Sequence, residues 1–377
     1  MSIFAGLYNK KTSFEMSLRK LYSIFWVAVA LIASVSCKKD DDSTTPSLNG
    51  TLTFNVTEFV NPGHLMKMTP KGLTHPKGDG IGYSWKVTPG MTYADTVRLE
   101  NGLSPKGDPS DGTFSYRFTD SLTTFTVSCT AFATGYTSSY TSAYVTVVKP
   151  GLDETLTGTG IKSGDQNVTV DNQKYYYINP TFQMDWMRNN LAVEPYGVPY
   201  VNAKATSYIL GRYYSYEDAV KACPKGWRLP TDKDWRDLAK YINSESAAGA
   251  YETIPGIAAD FMADVSFNAT KMWEYWPQVG EITNKAGISV IPAGYANLGE
   301  RSEDGTYPNA SFLGAYEYAV FWTADMVEDE PGMAYYRYFF CDQPDMYVGK
   351  GDIKTFGASV RCVRNHSIDH DNSWGNW

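Results

Sequence analysis

The amino-acid sequence predicts an α+β chain in two parts. An all-β sandwich comes first, and a mixed domain with two helices and a small twisted sheet follows it. Three observations carry this. Five short segments between residues 51 and 150 alternate apolar with polar side chains, and Gly, Pro, Asn and Asp clusters separate them. Two helix-period segments with capping residues sit close together at 215–223 and 231–243. Strand-like runs then return at 317–325, 333–341 and 357–363. A chain of 377 residues has room for two domains.

Ahead of the first strand, residues 1–36 read as an export signal, with Met16 as an alternative start. Arg19 and Lys20 precede an apolar run over 21–36 that is short for a spanning helix and right for a signal's apolar region. Small residues directly before Cys37 resemble the lipobox of bacterial lipoproteins, which implies that Cys37 is lipidated and holds the protein on a membrane. Within 37–50, the lipidated Cys37 is followed by a polar tether, KKDDDSTTPSLNG (38–50), reaching about 40 Å when extended. Lysine followed by aspartate after the cysteine is similar to the export tag of Bacteroidota lipoproteins. The expected location is therefore the outer membrane, lipid-anchored and facing the cell exterior.

The sandwich is placed at 51–150. Its expected strands are TLTFNVTEF (51–59), GYSWKVTP (82–89), GTFSYRFT (112–119), TTFTVSCTAFA (123–133) and SAYVTVVKP (142–150), with Trp85 packed between sheets. The layout resembles immunoglobulin-like or PKD-like modules, which implies a spacer. A hinge at 150–158 leads into the second domain, 158–365, and 366–377 is a polar tail.

That second domain is organised around CPKGWRLPTDKDW (223–235). Ser215 with Asp218 opens one helix, and Thr231 with Asp234 opens the next. Trp235, Leu238 and Ile242 give the second helix one apolar face. Pro224, Gly226 and Pro230 break the chain between the helices, leaving Trp227 and Leu229 as an apolar bridge. Elsewhere, 167–180 and GISVIPAGY (287–295) read as strands, and 244–285 as irregular with a short helix near 257–265. IPAGY (291–295), AVFWTAD (319–325) and SVRCVRN (359–365) follow the organising stretch in order. These four motifs resemble the Fibrobacter succinogenes major paralogous domain family over roughly 160–365. The resemblance implies a C-type-lectin-like scaffold and a disulfide between Cys223 and Cys362. Cys129 and Cys341 are left as free thiols.

A net charge of −8 argues against nucleic acid as a partner. Of four histidines, His64, His75, His366 and His370, none stands in a motif beside Ser or Cys, so a hydrolytic triad is not expected. His366 and His370, with Asp369 and Asp371, lack a pinned fourth ligand. WRLPTDKDWRDLA (227–239) and SVRC (359–362) are similar to formylglycine-generating enzymes. Those act through a close cysteine pair, which Cys362 does not have. The chain is therefore read as non-catalytic.

With 28 Tyr and 10 Trp, the sequence suits sugar recognition, although most of these rings read as filler in a sheet-rich core. Gln343-Pro344-Asp345 is similar to the triplet by which galactose-preferring C-type lectins hold Ca²⁺ and sugar, but GKGDIKT (349–355) replaces their Trp-Asn-Asp stretch. Calcium is the one cofactor considered, on acidic loops around Glu300, Glu303 and Asp304 and around Asp325, Glu328, Asp329 and Glu330; no ligand set is assigned. Tyr275 and Trp276 stand on the irregular loop as a stacking platform, with Trp273 a core residue of the same cluster. The candidate ligand contacts are Tyr275, Trp276, Asp342, Gln343, Asp345 and Tyr347. The expected function is binding of an extracellular glycan or glycoprotein. A structural adhesin or assembly subunit with a protein partner is the alternative, and a relative of formylglycine-generating enzymes ranks third.

Overall fold

The computed structural model describes residues 45–90, 97–99, 111–119, 124–148, 156–267, 270–273 and 280–366. The export signal, Cys37, Tyr275, Trp276, His370 and the rest of the tail lie outside them. Among the described residues strands take 41% and helices 12%, so the described part is mostly β with few helices. Among the described residues no helix is long and apolar enough to cross a membrane. The chain divides into two compact units. The first gathers described residues within 1–55, 69–113 and 126–143; the second gathers 56–68, 114–125 and 144 onward.

In the first unit, Asn49–Phe54 pairs antiparallel with Pro70–Thr74. Gly82–Thr88 lies between Val97–Leu99 and the 126–132 stretch of another strand. The expected core tryptophan is there: Trp85 is fully buried, its indole N–H donates to the Gly112 carbonyl at 2.9 Å, and Phe54 meets it edge-on. Val127, Cys129 and Ala131 alternate inward on the neighbouring strand. Burial pushes the Cys129 thiol up to about 12, so it packs as an inert apolar group.

The second unit begins with short pairs, Leu65–Met68 against Phe114–Arg117 and Phe59–Val60 parallel to Thr146–Val147. Residues 167–180, expected as one strand, are a hairpin of Asn167–Val170 and Gln173–Ile178. Asp171 and Asn172 take φ of 49° and 64° at its tip, the left-handed pair a tight two-residue hairpin turn requires.

Strand β1 (Met184–Met187) follows. Next come helix α1 (Tyr216–Ala222) and helix α2 (Asp232–Ile242), both where the sequence places them. Ser215 accepts the Asp218 amide at 3.2 Å, and Thr231 with Asp234 completes a reciprocal capping box. Helix α2 buries Trp235, Leu238 and Ala239, and Trp235 sits against Trp186 and Phe321 with ring centroids 4.8 and 5.6 Å apart. Cys223 at the end of α1 is disulfide-bonded to Cys362, with Cα atoms 5.8 Å apart across a sequence separation of 139.

Three antiparallel strands build the central sheet in the order β2 (Tyr318–Met326), β3 (Met333–Phe340), β4 (Tyr347–Asp352). The closing strand β5 (Val363–Asn365) pairs back onto β1. Two expected strands are corrected. Of 287–295, only Tyr295 belongs to a strand, Tyr295–Asn297; the rest is buried and irregular. Its polar backbone is satisfied from elsewhere in the chain: Arg361 donates to the Ile288 and Ser289 carbonyls, and Asn284 accepts the Ser289 amide. The 357–363 run likewise breaks into Phe356–Gly357 and β5, with single bridges at Ala358 and Ser359 between them.

Candidate functional site

The sequence of β3, MAYYRYFF, sends successive side chains to opposite faces of the sheet. Arg337 and Phe339 go inward. Arg337 is fully buried, and its guanidinium donates to Asp232 through Nε at 2.9 Å and through Nη2, while Nη1 donates to the Glu252 carbonyl at 2.6 Å. The other Asp232 oxygen accepts Arg236 Nε at 2.8 Å and the Tyr251 amide at 3.1 Å. Burial pulls the Arg337 pKa down, and the Asp232 carboxylate only partly restores it. Phe339 packs on Trp235 of α2. This side of the sheet is the floor of the domain.

The opposite face carries Tyr336, Tyr338 and Phe340 from β3, Tyr318 from β2 and Tyr347 from β4, joined by Tyr295 and Phe356 from adjoining strands, and several of these rings pack around a buried cluster that includes Val320, Trp322 and Ala334. All seven are half-buried. Tyr318 stacks on Phe340 with centroids 4.5 Å apart, Tyr338 on Tyr347 at 5.2 Å, and Phe356 on Tyr336 at 4.8 Å and on Tyr295 at 5.7 Å. Glycines on β4 make room for them. A Cβ on Gly349 would overlap the Tyr336 ring, and one on Gly351 would stand 2.6 Å from Phe356 and 2.8 Å from Trp322.

Among the described residues the hydroxyls of Tyr295, Tyr318, Tyr336 and Tyr338 make no hydrogen bond, and none of them is a buried orphan atom. Burial lifts all four phenols. Tyr318 is pushed up to about 12, with Glu317 adding to the effect there and at Tyr295. At neutral pH each therefore offers both a donor and an acceptor.

Of the contacts expected from sequence, three converge beside this face. The Tyr347 hydroxyl donates weakly to Gln343 Oε1 at 3.4 Å, and Gln343 Nε2 donates to Asp342 Oδ1 at 3.0 Å. Asp345 is engaged elsewhere: one carboxylate oxygen accepts the Gly256 amide at 2.8 Å, and Pro344 and Met346 hold Ala258 and Ile254. The Gln-Pro-Asp triplet thus clamps the 254–258 segment to the sheet. Tyr275 and Trp276 lie outside the described residues, and Trp273 is fully buried with its indole N–H on the Val290 carbonyl.

Among the described residues, no three His, Cys, Asp or Glu side chains converge as a metal site requires. In the acidic loops Asp304 is bonded by Ser302 and Thr306, Asp325 accepts the Asp232 amide, and Glu330 pairs with Lys350. His366 is paired with Asp185 at 2.8 Å. Sequence reasoning missed Tyr295, Tyr318, Tyr336, Tyr338 and Phe356 as site residues. The available signal was the aromatic alternation of β3 facing a glycine-bearing neighbour strand.

Residues 182–364 match the family model described as the Fibrobacter succinogenes major domain. This stretch of the chain is a Fibrobacter succinogenes major domain. No curated protein and no solved structure matches the chain. Every ring of the tyrosine face lies within the major domain. So does Arg361 of the SVRC motif, which is fully buried, donates to Asn190, Met187, Ile288 and Ser289, and has its pKa pulled down to about 9 by burial. The motif that marks the major domain is thus a structural clasp, with the disulfide beside it.

Proposed function

We propose that this is a lipid-anchored surface protein whose major domain binds an extracellular glycan or glycoprotein without turning it over. In this reading the domain is a C-type-lectin-like scaffold, and the N-terminal all-β part is an immunoglobulin-like spacer. The disulfide from α1 to the closing strand and the two capped helices support the scaffold; the apolar run before Cys37 supports the anchor. The tyrosine face carries the binding reading. Half-buried rings offer apolar surface to sugar C–H groups, and four free hydroxyls offer hydrogen bonds in both directions.

The test is a glycan array probed with the detergent-solubilised full chain, with and without chelator. Binding to a restricted set of glycans is expected. It should survive chelation, because Asp345 of the triplet is already bonded to the Gly256 amide. Y318F with Y338F, which keeps the rings and removes two hydroxyls, should weaken binding about tenfold or more. An array silent for every glycan would refute the proposal. A protein partner is the second reading. The pair Tyr251 and Tyr335, stacked at 4.0 Å with Lys350 over the Tyr335 ring, is of the type that anchors protein interfaces.

A further inference from the structure

We propose that the tyrosine face selects uncharged glycans and rejects glycans that carry carboxylate or sulfate groups. The inference rests on the glycan reading above and concerns the charges around the same face. The charged groups beside three of its five phenols are acids. Asp342 is joined to the Tyr347 hydroxyl through the Gln343 amide, at 3.0 and 3.4 Å. Glu317 is exposed and directly precedes Tyr318 in the chain, and its charge adds to the raised pKa of Tyr318 and Tyr295. Glu317 has no cation partner among the described residues.

Nearby basic side chains are committed elsewhere. Arg337 lies on the inner face of β3 in its pair with Asp232. Lys350 sits opposite Tyr335 in the β3–β4 register, reaches over that inner-side ring and pairs with Glu330 at 2.6 Å. Lys354, in the turn after β4, donates its backbone amide to Asp352 Oδ1 at 2.9 Å, and its charge favours that carboxylate. Arg361 is fully buried.

The chemistry follows from those placements. A neutral sugar carries hydroxyl donors, and a carboxylate is a strong acceptor for them, so Glu317 and Asp342 add to the tyrosyl hydrogen bonds. A sialic acid, uronate or sulfate arriving at the same place would bring a second negative charge beside those carboxylates, with none of the basic groups just named placed to receive it. The phenols, kept neutral by burial, offer an anion hydrogen-bond donors but no counter-charge.

The experiment compares matched pairs on the full solubilised chain: a neutral N-glycan against its sialylated form, and a neutral galactan against its sulfated form. A second arm uses E317Q/D342N. The neutral member is expected to bind at least tenfold more tightly at low salt, the gap to shrink as salt is raised, and the double variant to narrow it several-fold. Anionic members bound as well as neutral ones would overturn the selection while leaving glycan binding intact. A gap that the double variant leaves unchanged would overturn its assignment to these two carboxylates. Silence towards both members would overturn the glycan reading itself and this inference with it.

Discussion

Replacing Asp232 with asparagine tests how the floor beneath the tyrosine face is held. The Asp232 carboxylate takes two donors from a fully buried Arg337, one from Arg236 at 2.8 Å and the Tyr251 amide at 3.1 Å. Asparagine keeps the size and one acceptor oxygen but removes the charge, leaving the buried Arg337 guanidinium without a counter-ion and held by neutral acceptors, the Glu252 carbonyl and the amide oxygen. Breaking a buried pair from one side costs about 3–5 kcal/mol, because the surviving charge stays buried without compensation. The retained oxygen places D232N near the lower end, about 3 kcal/mol. Hydrogen exchange of peptides covering 333–340, read by mass spectrometry, measures the opening free energy of this sheet without requiring the whole chain to unfold in one step. Removing both partners in D232L/R337M should restore most of the loss, to within about 1 kcal/mol of the parent, since a well-packed apolar pair avoids the desolvation cost. A D232N loss below about 1 kcal/mol, or a double variant as unstable as the single one, would refute the account.

Three further outcomes are expected. Reducing the Cys223–Cys362 bridge, or replacing both cysteines with serine, removes a cross-link spanning 139 residues; chain entropy credits it with up to about 5 kcal/mol, so the melting temperature of the second unit should fall by about 10 °C or more in calorimetry. G349A should force the Tyr336 ring aside at a cost of about 1–3 kcal/mol, reduce glycan affinity, and leave the near-ultraviolet signal of the Trp85 unit unchanged. Alkaline stability should fall as pH rises from 10 towards 12, because the phenol of buried Tyr175 is pushed from 10.0 to about 12 and the native state then holds a proton that the unfolded chain releases. Those two pKa units amount to about 2.7 kcal/mol, and tyrosinate absorbance should rise together with the unfolding signal.

What could be read from the sequence is what is decided locally. The caps of α1 and α2 involve residues three apart, Ser215 with Asp218 and Thr231 with Asp234, and both helices form where those pairs stand. The hairpin at 167–178 was hidden because Asp171 and Asn172 resemble an exposed pair within one polar-edged strand, and the positive φ that turns them is not written in their spacing. The 287–293 segment looks like a strand because Ile288, Val290 and Ile291 are apolar and buried; its carbonyls are claimed by an arginine more than seventy residues away. The tyrosine face was hidden for a related reason. Alternation in β3 gives two faces, both aromatic, and the arginine between the tyrosines would ordinarily mark the wet one. Asp232, distant in sequence, draws Arg337 to its own side of the sheet and leaves Tyr336, Tyr338 and Phe340 on the other. The Cys223–Cys362 pairing, by contrast, came from the motif resemblance, and the structure contains it.

The pairing of Met184 with Asn365 means that the major domain starts and finishes on neighbouring rungs of one ladder. A unit with its two ends side by side can be grafted into a surface turn of an unrelated protein without prying that turn apart. Mechanical load passing along the backbone would cross at this seam and bypass the rest of the domain. The tyrosine face would then keep its shape under tension, and whole copies of the domain would move between chains by recombination with little loss of fold.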